Sequence, residues 1–492
     1  MPMFKSSSNL LITGGTFIDK SSNGLSAIHY LYREITSSAI HDSEERYDPP
    51  KCHPKTRTAI IGNILGWIKD PQKQRKVLRL HGPAGAGKSA ISQTIAEMCQ
   101  ECSLLAATFF FSRDRNTGKR LFATLAYQLA TNIPALKEKI EEVIEAHPQL
   151  VAKSMEVQLK KLILQPLAQV GSSLESAPQC VIIIDGLDEC SGDKQQADIL
   201  EFIFFALQQP YFPFCFIIAS RPEPRIVACL DSTQHRDKCW SINLNNRRDA
   251  KEDIRIVLRS GFAEIHDNPI HPSMATVPKP WPTDFAIEKI VARSSGQFVY
   301  ASTVLKFIDD PEYEPTQQLQ IILAITQRSH PNAFSDLDKL YSEILSRCRN
   351  PERMLDVLGY LIALIQGADA YAAMWGRSLG TTNLPTILDQ LLSLNPGDSE
   401  RSLRGLHSLI SVFTPTHAGS ETSGIKFHHA SFADFLRSEK RAGRFFIKVS
   451  AVHGKITRSC LRILRDFPPK NVTHDGYCKC LAENNLVSAD SL

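Results

Sequence analysis

The sequence predicts an α/β domain with a parallel sheet covered by helices on both faces, followed by a helical domain and a third domain of helices with one small hairpin. Three observations carry this. Between residues 58 and 220, strand-sized apolar runs alternate with segments whose apolar residues recur at helical spacing. Two of the runs, 181–184 and 214–219, are apolar almost throughout, as strands buried on both faces must be. After about residue 246 the alternation stops and helical patterns take over.

Composition bounds the rest. At 492 residues the chain has room for about three domains of ~150 residues each. A hydrophobic share of 43% and a charged share of 22% exclude a mostly disordered or collagen-like chain. Lys+Arg exceed Asp+Glu by only 56 − 52 = 4, so nothing marks a dedicated nucleic-acid binder or a polybasic membrane anchor. No apolar run reaches the ~18 residues of a membrane-spanning helix, so no span is expected. The first residues carry too short and too Gly-rich an apolar core for a secretion signal. The 12 cysteines lack paired metal spacings: Cys99 and Cys102 fall on one helix, and Cys478 and Cys480 have no partner pair. Reduced thiols and a cytoplasmic location are expected.

In order, residues 1–45 form an N-terminal arm. Its Ser/Gly-rich start reads either as disordered or as two short strands around Gly14-Gly15, and a short helix follows over 27–39. The Pro-rich stretch 48–54 is an extended entry into the α/β domain, 46–245. There Ile60, Ile61, Ile64, Leu65 and Ile68 trace a helix face, 77–81 a strand, and Ala90, Ile91, Thr94, Ile95 and Met98 a second helix face. A strand over 106–111 precedes a helix marked by Leu121, Phe122, Leu125 and Leu129, then helical runs over 135–146 and 156–170. The 181–184 strand, a helix marked by Ile199, Leu200, Ile203, Phe204 and Leu207, and the 214–219 strand complete the alternation. Residues 246–330 form a helical domain opening with Ala250, Ile254, Val257, Leu258 and Phe262. Residues 331–445, with a helix over 337–347 and strands over 409–414 and 424–427, fit a winged helix, and 446–492 form a helical tail. No repeat of 30–45 residues is visible, which excludes a solenoid or propeller.

Three strand ends carry chemistry. Gly82-Pro83-Ala84-Gly85-Ala86-Gly87-Lys88-Ser89 matches G-x-x-x-x-G-K-[ST] between the 77–81 strand and the helix that includes Ala90, the setting a P-loop requires. Its glycines turn backbone N–H groups inward onto phosphate oxygens at a helix N-terminus. Lys88 is expected to bridge the β- and γ-phosphates and Ser89 to ligate Mg²⁺. Next, the 181–184 run ends in Asp185-Gly186-Leu187-Asp188-Glu189, a Walker B arrangement. Lying beside the P-loop strand, it would aim Asp185 at a Mg²⁺-bound water, with Glu189, rather than Asp188, polarising the attacking water. The third is Ser220-Arg221-Pro222, where Arg221 either reads the γ-phosphate or caps the sheet end.

Together these motifs resemble the NACHT nucleotide-binding module of the STAND signal-transduction NTPases. Asp185-Gly186-Leu187-Asp188-Glu189 is the most specific of them. Phe109-Phe110-Phe111-Ser112-Arg113 and Leu125-Ala126-Tyr127-Gln128-Leu129 are similar to the fungal, nephrocystin-like members related to NOD-like receptors. The likeness covers roughly residues 46–445. It implies that the segment ending in Arg57 lies near base and ribose, and that Phe298 stands where the family has a base-contacting Pro. It further implies that His429, ahead of Ala430-Ser431-Phe432, contacts the β-phosphate of a resting diphosphate state. The implied function is a signalling or defence switch. It would bind ATP or GTP with Mg²⁺, hydrolyse it slowly to ADP or GDP, and oligomerise with itself under nucleotide control, with separate proteins supplying sensing and output. No Asn-Lys-x-Asp guanine motif is present, and the choice of base stays open. The competing readings are a turnover AAA-type remodelling ATPase and a nucleotide-bound scaffold that does not hydrolyse.

Overall fold

The computed structural model describes residues 26–46, 48–112, 118–171, 180–245, 247–325, 335–366, 384–413 and 424–466. The strands expected within residues 1–25, Arg113, and Cys478 and Cys480 lie outside them. Five parallel strands form the main sheet: β1 (Val77–His81), β2 (Leu105–Phe110), β3 (Val181–Asp185), β4 (Cys215–Ser220) and β5 (Cys239–Asn243), in the order β2-β3-β4-β1-β5. Alternate residues feed two different cores. Val77, Phe109, Ile182, Ile184, Phe216 and Ile218 face the Leu121–Asn132, Pro134–Ala146 and Asp193–Leu207 helices. Leu78, Leu80, Ile183, Ile217 and Ala219 face the Thr58–Lys69 and Lys88–Glu101 helices. This period-2 division explains why the central strands are apolar at every position.

Four details depart from the sequence reading. The Walker B strand does not lie beside the P-loop strand, because β4 separates β3 from β1. The edge strand β5 was not foreseen; half exposed and reading Cys-Trp-Ser-Ile-Asn, it lacks the apolar run of a buried strand. Met98 is 37% exposed, since the Lys88–Glu101 helix buries Ile91, Ser92, Ile95, Ala96 and Cys99 instead. The first described helix ends at Glu34 rather than at residue 39, where Ile35 turns extended, and its Leu31 packs into the core of the α/β domain with Ile35 and Ala39.

Beyond the sheet, helices Arg247–Asp267, Asp284–Ser294, Phe298–Ile308, Pro315–Ala324, Ser335–Ser346 and Pro351–Gln366 pack around one apolar cluster. The cluster also takes in the antiparallel hairpin β6 (Ile410–Phe413) and β7 (Gly424–Phe427), the following helix Ala430–Leu436, and the Val449–Asp466 helix. No helix among the described residues is long and apolar enough to cross a membrane.

Candidate functional site

The site grows from the ends of β1, β3 and β4. After His81 the chain turns through Gly85 (φ +74°) and Gly87 (φ +90°) into the helix that opens at Lys88. Both glycines occupy the left-handed region, where a side chain is strained. At Gly85 a Cβ would also lie 2.4 Å from Val299 Cγ1, so only glycine fits against the helix packed there. The Phe298 N–H donates to the Gly85 carbonyl at 2.8 Å, fixing the Phe298–Ile308 helix to the loop.

Ser89 and Asp185 meet at the carboxyl end of the sheet. Ser89 Oγ donates to Asp185 Oδ2 at 2.6 Å, and Ser92 Oγ donates to Oδ1 at 2.8 Å. They meet although β4 intervenes, because the Lys88–Glu101 helix crosses the sheet and packs on both β3 and β4. Ser92 was not foreseen; its place one turn after Ser89 is the signal that would have found it. Burial raises the Asp185 pKa above the ordinary carboxylate range, against the two hydroxyl donors and the charges of Arg46 and Lys88. Arg46, also unforeseen, lies with its guanidinium 3.7 Å from the Phe110 ring centre, and burial lowers its pKa to about 10 despite Asp185.

Lys88 Nζ donates to the carbonyls of Gly82 (2.9 Å) and Pro83 (3.0 Å). Burial pulls its pKa down, opposed by Asp188 and Asp185. Ala86 closes the turn through its N–H to the Pro83 carbonyl at 3.3 Å. Arg57 braces the loop from behind: Nη2 donates to the Ala86 carbonyl at 3.2 Å, Nε lies 3.5 Å from Asp253, and the guanidinium sits 5.0 Å from the Phe298 ring centre.

Arg221 is held by two carboxylates. Its backbone N–H and its Nε contact Asp188 at 2.9 and 3.1 Å, while Nη1 donates to Asp434 Oδ2 at 3.0 Å. Burial lowers the Arg221 pKa, but Asp434 and Asp188 outweigh it and the net shift is upward. Asp434, which the sequence reading passed over, lies on the Ala430–Leu436 helix, so this ion pair joins the sheet to the region after the hairpin. His429 caps that helix, with Nδ1 accepting the Ser431 N–H at 3.0 Å. His428 packs its Nδ1 3.2 Å from Lys306 Nζ, and burial and that cation lower its pKa to about 4.

One open cleft of about 1290 Å³ unites these groups: Ala84, Gly85, Gly87, Lys88, Ser89, Ala90, Arg57, Asp185, Asp188, Glu189, Arg221, Phe298, His429 and Asp434 all line it. That exceeds the ~300–1,000 Å³ of ordinary ligand pockets, so a nucleotide has room. The donor set fits Mg²⁺ and a polyphosphate: an oxygen pair at 2.6 Å, a half-buried ammonium, and a glycine turn at the N-terminus of the Lys88–Glu101 helix.

The family described as "Nephrocystin 3, N-terminal" matches residues 61–221, from the helix before β1 to Arg221. No curated protein matches the chain. Similar solved structures include Caenorhabditis elegans PCH-2, with 10% identity and a TM-score of 0.31 over 60% of this chain and 69% of that one. Aeropyrum pernix ORC1 in complex with DNA gives 10% and 0.31 over 79% and 92%. Drosophila ORC bound to DNA gives 11% and 0.33 over 80% and 96%. The loop, the carboxylate ending β3 and the family match together support a P-loop NTPase reading of the α/β domain.

Proposed function

We propose that the chain is a nucleotide-driven switch of the NACHT type within the STAND NTPases, binding ATP or GTP with Mg²⁺ and hydrolysing it slowly to govern its own assembly. The observation that carries this reading is Arg221, shared between Asp188 on the Walker B turn and Asp434 far along the chain, on the rim of the cleft that the P-loop lines. In this reading the backbone amides of the loop and Lys88 hold the phosphates, and Ser89 and Asp185 hold the metal. Bound Mg²⁺ would neutralise charge on the phosphate oxygens. Arg221 is then an arbiter: a γ-phosphate and the Asp434 carboxylate compete for one guanidinium. Occupied by Asp434, it keeps the Ala430–Leu436 helix docked; engaged by a third phosphate, it lets that helix go.

The remaining residues take supporting parts. Asp188 pairs with Arg221, and Glu189, on the lining of the same cleft, is the group that polarises water in this reading. A neutral His429 with an accepting Nδ1 carries its proton on Nε2, the right polarity for donating to a diphosphate. Phe298, bonded to Gly85, couples the loop to the helical region, and the β6–β7 hairpin with its following helix supports a winged-helix reading of residues 331–445.

Light scattering of the purified chain tests this. The expected result is a small species with diphosphate, a larger one with a non-hydrolysable triphosphate, and turnover below about one per second. Fast turnover stimulated by polynucleotide or polypeptide would instead mark a remodeller. An unchanged mass in every nucleotide state would mark a scaffold.

A further inference from the structure

Away from the cleft, the α/β domain brings together three ligand-type side chains that nucleotide chemistry does not use. Glu201 lies on the Asp193–Leu207 helix, Cys229 in the last turn of the Pro224–Leu230 helix, and His235 in the turn that follows. One ligand atom from each lies within 4.8 Å of those of the other two. Cys229 Sγ is 3.4 Å from Glu201 Oε1 and 3.8 Å from His235 Nδ1.

The histidine is built in rather than incidental. It is 3% exposed, and its ring stacks on Phe204 with centroids 3.8 Å apart and planes 3° from parallel. Its Nδ1 lies 3.1 Å from the Cys229 carbonyl oxygen. A carbonyl only accepts, so Nδ1 carries a proton, and in the neutral ring Nε2 presents a lone pair. That lone pair faces Glu201 Oε2 at 3.8 Å, beyond hydrogen-bonding reach. A bound cation, or a second proton on the ring, fits between Nε2 and Oε2, beside the thiol that donates to Glu201 Oε1. A backbone carbonyl fixing Nδ1–H is also the usual outer-shell support of a histidine that ligates through Nε2.

We propose that Glu201, Cys229 and His235 bind a divalent transition metal, with Zn²⁺ the best match and water completing the shell. Zinc bonds of about 2.0–2.3 Å in a tetrahedron place ligand atoms roughly 3.3–3.8 Å apart; Sγ–Oε1 at 3.4 Å and Nε2–Oε2 at 3.8 Å fall in that range, and one ligand atom of each residue lies within 4.8 Å of the other two. One thiolate and one carboxylate balance the dication. On binding, the Cys229 S–H bond breaks and its proton goes to solvent, Sγ and Nε2 donate electron pairs to the metal, and no electron is transferred. The ion would pin the helix bearing Glu201 to the chain that leads into the edge strand β5.

Cobalt(II) titration of the chelator-treated 492-residue chain tests this, with saturating zinc as competitor. The expected result is a thiolate-to-cobalt charge-transfer band saturating at one ion per chain and displaced by zinc. Cys229→Ser abolishes it, Glu201→Gln weakens binding about tenfold or more, and Cys102→Ser, an exposed thiol elsewhere, leaves it intact. Should Cys229→Ser not fold, the surface change Glu201→Gln decides alone. No thiolate band in the wild type, or a band unmoved by both substitutions, overturns the proposal.

Discussion

Replacing Asp434 with Ala removes one of the two anions that hold Arg221, and the size of the effect follows from the geometry. The contact is 3.0 Å long, and both side chains are about one-fifth exposed, at 20% and 22%. At that separation an effective dielectric near 20 gives an attraction of about 5.5 kcal/mol, an upper bound before desolvation. Fully exposed pairs contribute only about 0.2–1 kcal/mol. Arg221 retains Asp188, so no buried cation is orphaned, and the net loss should fall at about 1–2 kcal/mol, or about 5- to 30-fold in docking of the Ala430–Leu436 helix. If Arg221 must leave Asp434 to reach a γ-phosphate, linkage demands that triphosphate affinity rise by the same factor relative to diphosphate. Competition binding of a non-hydrolysable triphosphate against the diphosphate measures that ratio. A ratio unchanged in Asp434→Ala would refute the competition, whatever happened to stability.

Two further outcomes follow from the loop and its carboxylate. Asp185 holds its proton more tightly in the folded chain than in the unfolded one, so its ionised form costs stability at neutral pH, a cost that disappears as pH falls through the raised pKa. Asp185→Asn should therefore leave ligand-free stability at neutral pH equal or higher, flatten this part of its pH dependence, and abolish stabilisation by Mg-nucleotide, as read by urea denaturation at neutral and mildly acidic pH. Gly85→Ala meets both a left-handed backbone, costing about 1–2 kcal/mol, and the Val299 methyl 2.4 Å away. A double-mutant cycle with Val299→Ala should show coupling of about 1 kcal/mol or more, because removing that methyl relieves the clash but not the backbone strain. Additive effects would mean that the helix does not press on the loop.

What the sequence made legible was what repeats or punctuates. The apolar runs of β3 and β4, the glycines before Lys88 and the carboxylate ending β3 are local signals, and each marks an element or group in place. Strand β5 escaped notice because an edge strand needs only one buried side, so its sequence alternates weakly. The position of β4 between β1 and β3 is a matter of crossover order, which no local pattern encodes. Arg46, Asp253 and Asp434 were missed for a related reason. Each meets its partner across a long loop of chain, and an isolated charged residue in a sequence looks like solvated surface until the fold supplies the opposite charge.

The most direct test of the central claim is equilibrium binding of Mg²⁺-nucleotide to the wild-type chain and to Lys88→Ala. One nucleotide per chain, dependent on Mg²⁺ and weakened about a hundredfold by removing that ammonium, is the predicted result. No binding in the wild type, or equal affinity in Lys88→Ala, would contradict it.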